Sequence, residues 1–359
     1  MKKHIYLLSI VVIILVFPLC ISAETNTEDY IFQFKNIIPE DFSGITEDST
    51  GLIESFSLKG LLQEIVSAVS GEGGKVTAFF LSLIGLLAIS TTSSAVDDSF
   101  APQIRAAVGI IISLSIFPTI STALSSVRHS LTRLGDFFTA LTPITVGMTA
   151  LGGGAATSGV QAAGMYTALT VVGELGSGIF LNIASLGLAL AAMSALGNRS
   201  AIAVGRGIRS LFLWTLGIFT AIITAVFSLQ TIVASAADSA VMRSAKYMAS
   251  GLIPVVGSAV SGALSTLAAG LSYAKTLVGG GAIVVIVSLA LSPLVMLLLY
   301  RFAMTVAISF AELVGDDSCS GLFSAYRFSF DMIIAVYVLT VIVYLFQVIL
   351  FLNVGVALL

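Results

Sequence analysis

The sequence predicts an all-α, polytopic integral membrane protein of about seven to eight transmembrane helices, with interfacial or broken helices between them. Three observations predict it. Of the 359 residues, 57% are hydrophobic and only 10% are charged, against about 25% charged in soluble domains. Mean hydropathy is +1.07, more apolar surface than a soluble fold of this length could hide, whereas lipid can solvate it. The apolar runs are continuous, as in 332–352, while barrel strands alternate apolar and polar residues over about 10 positions. Backbone polar groups in hydrocarbon must be satisfied internally, so unbroken runs of this length mean helices.

The first element is a secretory signal, residues 1–23. Lys2 and Lys3 supply the positive start, 5–19 the apolar core broken by Pro18, and Ile21-Ser22-Ala23 a cleavage site before Glu24. The run is short for a membrane anchor, and Leu19 stands before Cys20 where a lipoprotein needs a small residue. Removing the signal would leave one cysteine, Cys319, and one histidine, His129. That predicts no intrachain disulfide and no Cys/His metal cluster.

Residues 24–75 form an acidic extracytoplasmic leader. They hold Glu24, Glu28, Asp29, Glu40, Asp41, Glu47, Asp48, Glu54, Glu64 and Glu72 against Lys35, Lys59 and Lys75. Within it, 52–69 places Leu58, Leu61, Leu62, Ile65 and Val69 at helical spacing. The multi-span membrane domain is 76–359. Its expected spans are 76–92, 106–124 with a kink at Pro118, 160–172, 179–196, 211–234, 252–271, 282–300 and 332–352; 141–151 and 302–314 are short for a crossing.

Arg199, Arg206 and Arg209 cluster in one connection, which the positive-inside rule places in the cytoplasm. Arg128 and Arg133 would then fall outside, against that rule. Either that segment is interfacial or one of the expected spans is wrong; 126–141 reads as an interfacial helix, with Val127, Leu131, Leu134, Phe138 and Leu141 on one face and Arg128, His129, Arg133 and Asp136 elsewhere. A weak echo links Pro143-Ile144-Thr145-Val146-Gly147 with Pro254-Val255-Val256-Gly257. It is either an inverted repeat of the transporter kind or chance in a biased composition.

Chemistry is nearly absent. Gly74-Lys75-Val76 lacks the hydroxyl residue and the upstream glycine of a phosphate-binding loop. No G-x-S-x-G elbow occurs, no histidine pair or paired-carboxylate motif suggests hydrolysis, and Asp238 and Asp331 would pair only if folding joined them. The expectation is a non-enzyme with no catalytic residues, cofactor, metal or nucleic-acid partner. Candidate functional charges are Glu174, in the glycine-rich turn 173–178, and Asp238, Arg243 and Lys246. Intramembrane charges are costly and often functional, but span-end charges are also explained by hydration. Arg243 and Lys246 share a helix face. Ser258, Gly262, Thr266 and Gly270 recur every four residues after Pro254 and Gly257. Such a stripe lets helices approach closely, either within one chain or in a homo-oligomeric ring.

The stretch Ala236-Ala237-Asp238 followed by Arg243, Lys246 and Tyr247, running into Pro254-Val255-Val256-Gly257, resembles the stage III sporulation protein AE family. There an "AAD…R-x-x-K-Y" connector leads into a "PVVG" helix start. Asp136-Phe137-Phe138 before Pro143, and Leu299-Tyr300-Arg301 near the end, fit the same order, so the resemblance covers about 76–359. It implies a non-enzymatic membrane component, platform or conduit, of the channel joining mother cell and forespore, needed for endospore development after engulfment. It also implies a place in the mother-cell-derived outer forespore membrane, with the leader between the two membranes. The implied partners are the other stage IIIA operon products, including a cytoplasmic ATPase, the forespore-side channel protein and the lipid bilayer. The residues alone leave two alternatives: a secondary transporter or permease for a small solute, and a pore-less scaffold.

Overall fold

The computed structural model describes residues 58–93, 101–151, 155–194, 207–230 and 257–353, with isolated positions at 34, 36–38, 204 and 232. The signal segment, most of the leader, the 231–256 connector apart from 232, and therefore Asp238, Arg243, Lys246 and Pro254, lie outside the described residues. Every described element is helical. In chain order they are α1 (Leu58–Ser93), α2 (Ala101–Leu151), α3 (Ala155–Thr167), a π-helix (Ala168–Phe180), α4 (Leu181–Ser194), α5 (Gly207–Gln230), α6 (Gly257–Val314) and α7 (Asp317–Asn353).

Five of these, α1, α2, α5, α6 and α7, contain stretches long and apolar enough to cross a membrane. The expected count of seven to eight does not emerge among the described residues: 160–172 and 179–196 fall in the short α3, π-helix and α4, and the described part of 252–271 belongs to one helix with 282–300. The stretches 106–124, 126–141 and 141–151 are one helix of 51 residues, α2. Likewise 282–300 and 302–314 belong to α6, of 58 residues. At about 1.5 Å per residue, α2 is about 76 Å long and α6 about 87 Å. Pro118, Pro143 and Pro293 lie inside these helices without ending them. A proline removes one helical hydrogen bond, and neighbouring helices in a membrane bundle can take up the freed carbonyl.

The expectation of a separate interfacial helix over 126–141 is corrected in the same way. Its apolar stripe exists, but Val127, Leu131, Leu134, Phe138 and Leu141 are all buried inside the bundle. The stripe faces other helices rather than lipid headgroups. The glycine-rich 173–178 is not a turn either; it lies within the π-helix, which passes directly into α4. Helix α1 continues through residue 75, so the end of the leader and the first apolar stretch share one helix.

Helix α7 sits at the centre. Phe323, Tyr326, Phe330, Ile333, Tyr337, Tyr344, Val348 and Phe351 are buried along it at spacings of three to seven, and it packs most extensively on α6. The turn between them has two residues. Gly315 adopts φ +78°, its N–H donates to the Glu312 carbonyl, and the Asp316 N–H donates to the Ala311 carbonyl. These are the two bonds of a Schellman ending. Asp316 then caps α7, accepting from the Cys319 N–H at 3.0 Å. Its other carboxylate oxygen accepts from the Ser90 hydroxyl, which ties the end of α1 to the turn. The Cys319 thiol donates to Ser90 at 3.2 Å.

The remaining contacts set the helix directions. Helix α6 runs antiparallel to α7: Arg301 pairs with Asp331, Ala290 meets Tyr337, and Lys275 lies 5.2 Å from the Phe351 ring centroid. Helix α5 runs parallel to α7, from Arg209, 4.5 Å over Phe328, through Phe227 stacked on Phe346, to Gln230 bonded to Gln347. Beyond the level of Arg209, Arg301 and Asp331, residues 210–230, 276–300 and 332–353 carry no Asp, Glu, Lys or Arg. Each stretch is long enough to cover the ~30 Å hydrocarbon core, and the cross-contacts align all three over one slab. Tyr300 marks its edge. It stacks on Phe330, meets Phe79 edge-on and lies near the Glu72–Lys75 ion pair of α1.

Two expectations follow. Replacing Gly315 with alanine places a Cβ in the left-handed region and should cost about 1–2 kcal/mol, read as a lower thermal midpoint of the full chain in detergent. Burial pushes the Asp316 carboxyl up, but hydrogen bonds from Ser90, Cys319 and Ser318 outweigh it and leave the group below its ordinary value of 3.8. A depressed carboxylate stabilises fully above its unfolded value and loses that contribution as pH falls through the folded one. Acidification below 3.8 should therefore lower the midpoint of the wild-type chain, with a shallower fall in Asp316→Asn.

Candidate functional site: a polar cavity beside the π-helix

A cavity of about 350 Å³ lies between α2, the π-helix and α7. Helix α2 contributes Thr132, Gly135, Asp136 and Thr139, residues three or four apart that share one face. The π-helix contributes Leu169, Thr170 and Gly173, and α7 contributes Thr340 and Tyr344. Thr340 stands nine residues beyond Asp331, or about 14 Å along the helix, which places the cavity near mid-slab.

Small residues make room for it. A Cβ on Gly135 would sit 3.8 Å from the Tyr344 hydroxyl, and one on Gly173 would sit 3.7 Å from it. The Tyr344 side chain is buried and its ring packs on Phe138 at 4.7 Å, so the hydroxyl is held between α2 and the π-helix. At Gly176 a Cβ would come within 2.8 Å of the Thr340 hydroxyl, so the π-helix approaches α7 closely only because glycine stands there. π-Helices are rare, mostly single-turn bulges, and recur at functional sites; this one runs for 13 residues.

Beside the cavity, three helices are pinned by a proline. Pro293 has no N–H, so the Leu289 carbonyl four residues earlier lacks its helical donor. The Ser130 hydroxyl of α2 donates to that carbonyl at 3.0 Å. Tyr337 of α7 lies 2.7 Å from Ser130 and 3.2 Å from the neighbouring Ala290 carbonyl. The carbonyl freed in α6 is thus satisfied by α2, while Tyr337 of α7 lies against Ser130 and the neighbouring Ala290 carbonyl; these contacts set the register of both walls of the cavity.

The charges foreseen from sequence are distributed differently. Glu174 follows Gly173 in the π-helix, but its side chain is not among those described. Asp331 pairs with Arg301, and Arg128 donates to Asn182 at 2.6 Å. Gly257, Ser258, Gly262 and Thr266 fall in the first turns of α6, where only the backbone is described; Gly270 is partly buried. Sequence reasoning named Asp136 only as a polar residue of 126–141 and within the family segment, not as a site residue, and did not single out Thr340, Tyr344 or the Ser130–Tyr337 pair. The available signals were a carboxylate between threonines at 132 and 139, and tyrosines seven apart at 337 and 344. Among the described residues no group of three His, Cys, Asp or Glu side chains gathers as a metal site.

The sequence profile of stage III sporulation protein AE matches residues 41–356. The chain belongs to the stage III sporulation protein AE family. A curated member, stage III sporulation protein AE of Bacillus subtilis (strain 168), is 21% identical over 296 residues, covering 80% of this chain and 73% of the relative. No solved structure matches. The match extends into the leader, beyond the 76–359 that the sequence motifs cover, and it supports a sporulation role.

The proline pin gives a coupling test. Ser130→Ala should cost about 1–3 kcal/mol, the penalty for a buried unpaired carbonyl. The same substitution in a Pro293→Ala background should cost much less, because alanine at that position returns the missing N–H. A double-mutant cycle of thermal or denaturant unfolding in detergent measures the difference.

Proposed function

We propose that this chain is a non-enzymatic membrane platform or conduit in the channel joining mother cell and forespore, required after engulfment. Family membership across 41–356 carries the reading. A bundle whose central helix is lined by α2, α6 and the π-helix around a polar cavity suits a membrane component of such an assembly. On this reading the signal segment directs the acidic leader across the membrane, and the chain sits in the mother-cell-derived outer forespore membrane. Its partners are the other stage IIIA products, a cytoplasmic ATPase among them, and the forespore-side channel protein. The Arg199, Arg206 and Arg209 cluster faces the mother-cell cytoplasm.

One observation favours a second reading. A carboxylate-bearing cavity at membrane depth beside an irregular helix is also the arrangement of a secondary transporter for a small solute. An in-frame deletion in the native host separates the two. The channel reading expects normal growth and engulfment, then arrest with small or collapsing forespores and a large loss of heat-resistant spores. Normal spore counts with a defect in growth or uptake would overturn it in favour of the transporter.

A further inference from the structure

The lining of the cavity leans toward acceptor oxygen, with Thr170 and Tyr344 the lining hydroxyls whose protons are not committed to a carbonyl among the described residues. The Thr132 hydroxyl donates to the Arg128 carbonyl at 3.1 Å, Thr139 donates to Gly135 at 2.8 Å, and Thr340 donates to Val336 at 3.0 Å. A hydroxyl has one proton and two lone pairs. With each proton committed to its own helix, these three groups offer the cavity only acceptor oxygen. Asp136 adds a carboxylate that remains accessible, and no lysine, arginine or histidine lines the space. Tyr344 supplies a second, independent sign. Its side chain is 1% exposed, its hydroxyl is aimed between Gly135 and Gly173, and among the described residues that hydroxyl has no hydrogen-bond partner. The side chain is buried but its hydroxyl opens onto the cavity, where it is available to a guest or to water.

We propose that this cavity binds a monovalent metal cation of sodium or potassium size. Oxygen-only donors select hard cations. Dedicated divalent sites use more carboxylate, and magnesium demands tight octahedral geometry; a single carboxylate balances one positive charge. A volume of about 350 Å³ holds roughly ten waters at ~30 Å³ each, so the ion keeps part of its hydration shell. Asp136 and the three threonine oxygens face the ion, and the Tyr344 hydroxyl donates to a shell water or to the Asp136 carboxylate. The site stands without the sporulation reading: it concerns what the cavity holds, not which assembly the chain joins.

The test uses the purified full-length chain in detergent, unfolded thermally in sodium, potassium or N-methylglucamine chloride at equal ionic strength. Saturating sodium or potassium should raise the midpoint over N-methylglucamine by about 3 °C. Asp136→Asn should give the same midpoint in all three salts, and Tyr344→Phe should need more cation for the same rise. Equal wild-type midpoints in the three salts would overturn the proposal, as would a full response in Asp136→Asn. Should Asp136→Asn fail to fold, Thr340→Val replaces it: a weakened response supports the site, and an unchanged response removes it.

Discussion

A carbonyl group in hydrocarbon must find a donor, and Pro293 denies one to Leu289. Much of the arrangement of this bundle depends on how that deficit is met. Ser130 of α2 donates to that carbonyl, and Tyr337 of α7 lies within hydrogen-bond distance of both Ser130 and the neighbouring Ala290 carbonyl, with one proton to give to either. Three long helices that could otherwise slide along one another are held in one register. Seven residues above Tyr337 on the same face of α7 stands Tyr344, whose position follows from that register. The cavity is therefore built by the same contacts that repair the proline.

Both ends of the charge-free slab are marked by polar contacts of a different kind. On one side Arg301 and Asp331 neutralise each other between α6 and α7, with Arg209 over Phe328. On the other, Lys275 lies against the Phe351 ring. Long basic side chains at such positions bury their stems and keep their charge where water or an aromatic face can meet it. Helix α2 departs from this rule, carrying Arg128, His129, Arg133 and Asp136 at the depth of Tyr337 and Tyr344. Within that polar run Arg128 meets Asn182 and Asp136 borders the cavity.

Much of the fold was legible because hydrophobic periodicity and run length are local properties. The helical class, the apolar stripe of 126–141 and the last span could be read from neighbouring residues alone. Helix ends were harder. Prolines at 118, 143 and 293 and the glycines of 173–178 look like stops to a local reading, yet the helices continue through them; at Pro293 the Ser130 hydroxyl supplies the donor that the backbone loses. The candidate site was least legible. Asp136 looks like one charge of a solvated face until α7 brings Thr340 and Tyr344 against it, across more than 200 positions of sequence.

The sequence by itself determined that this chain is a helical membrane protein, and its motifs pointed to the family that the wider match supports. It also determined which faces are apolar, since a side chain's preference for lipid or water does not depend on its distant neighbours. Only the tertiary structure decided what covers those faces and where the polar exceptions meet. Lipid and protein interior are equally apolar to an aliphatic side chain, so hydropathy has no term that separates a helix facing lipid from one buried among helices. That distinction comes from the glycines, hydroxyls and proline-freed carbonyls that let particular helices approach, and those act between elements rather than along them.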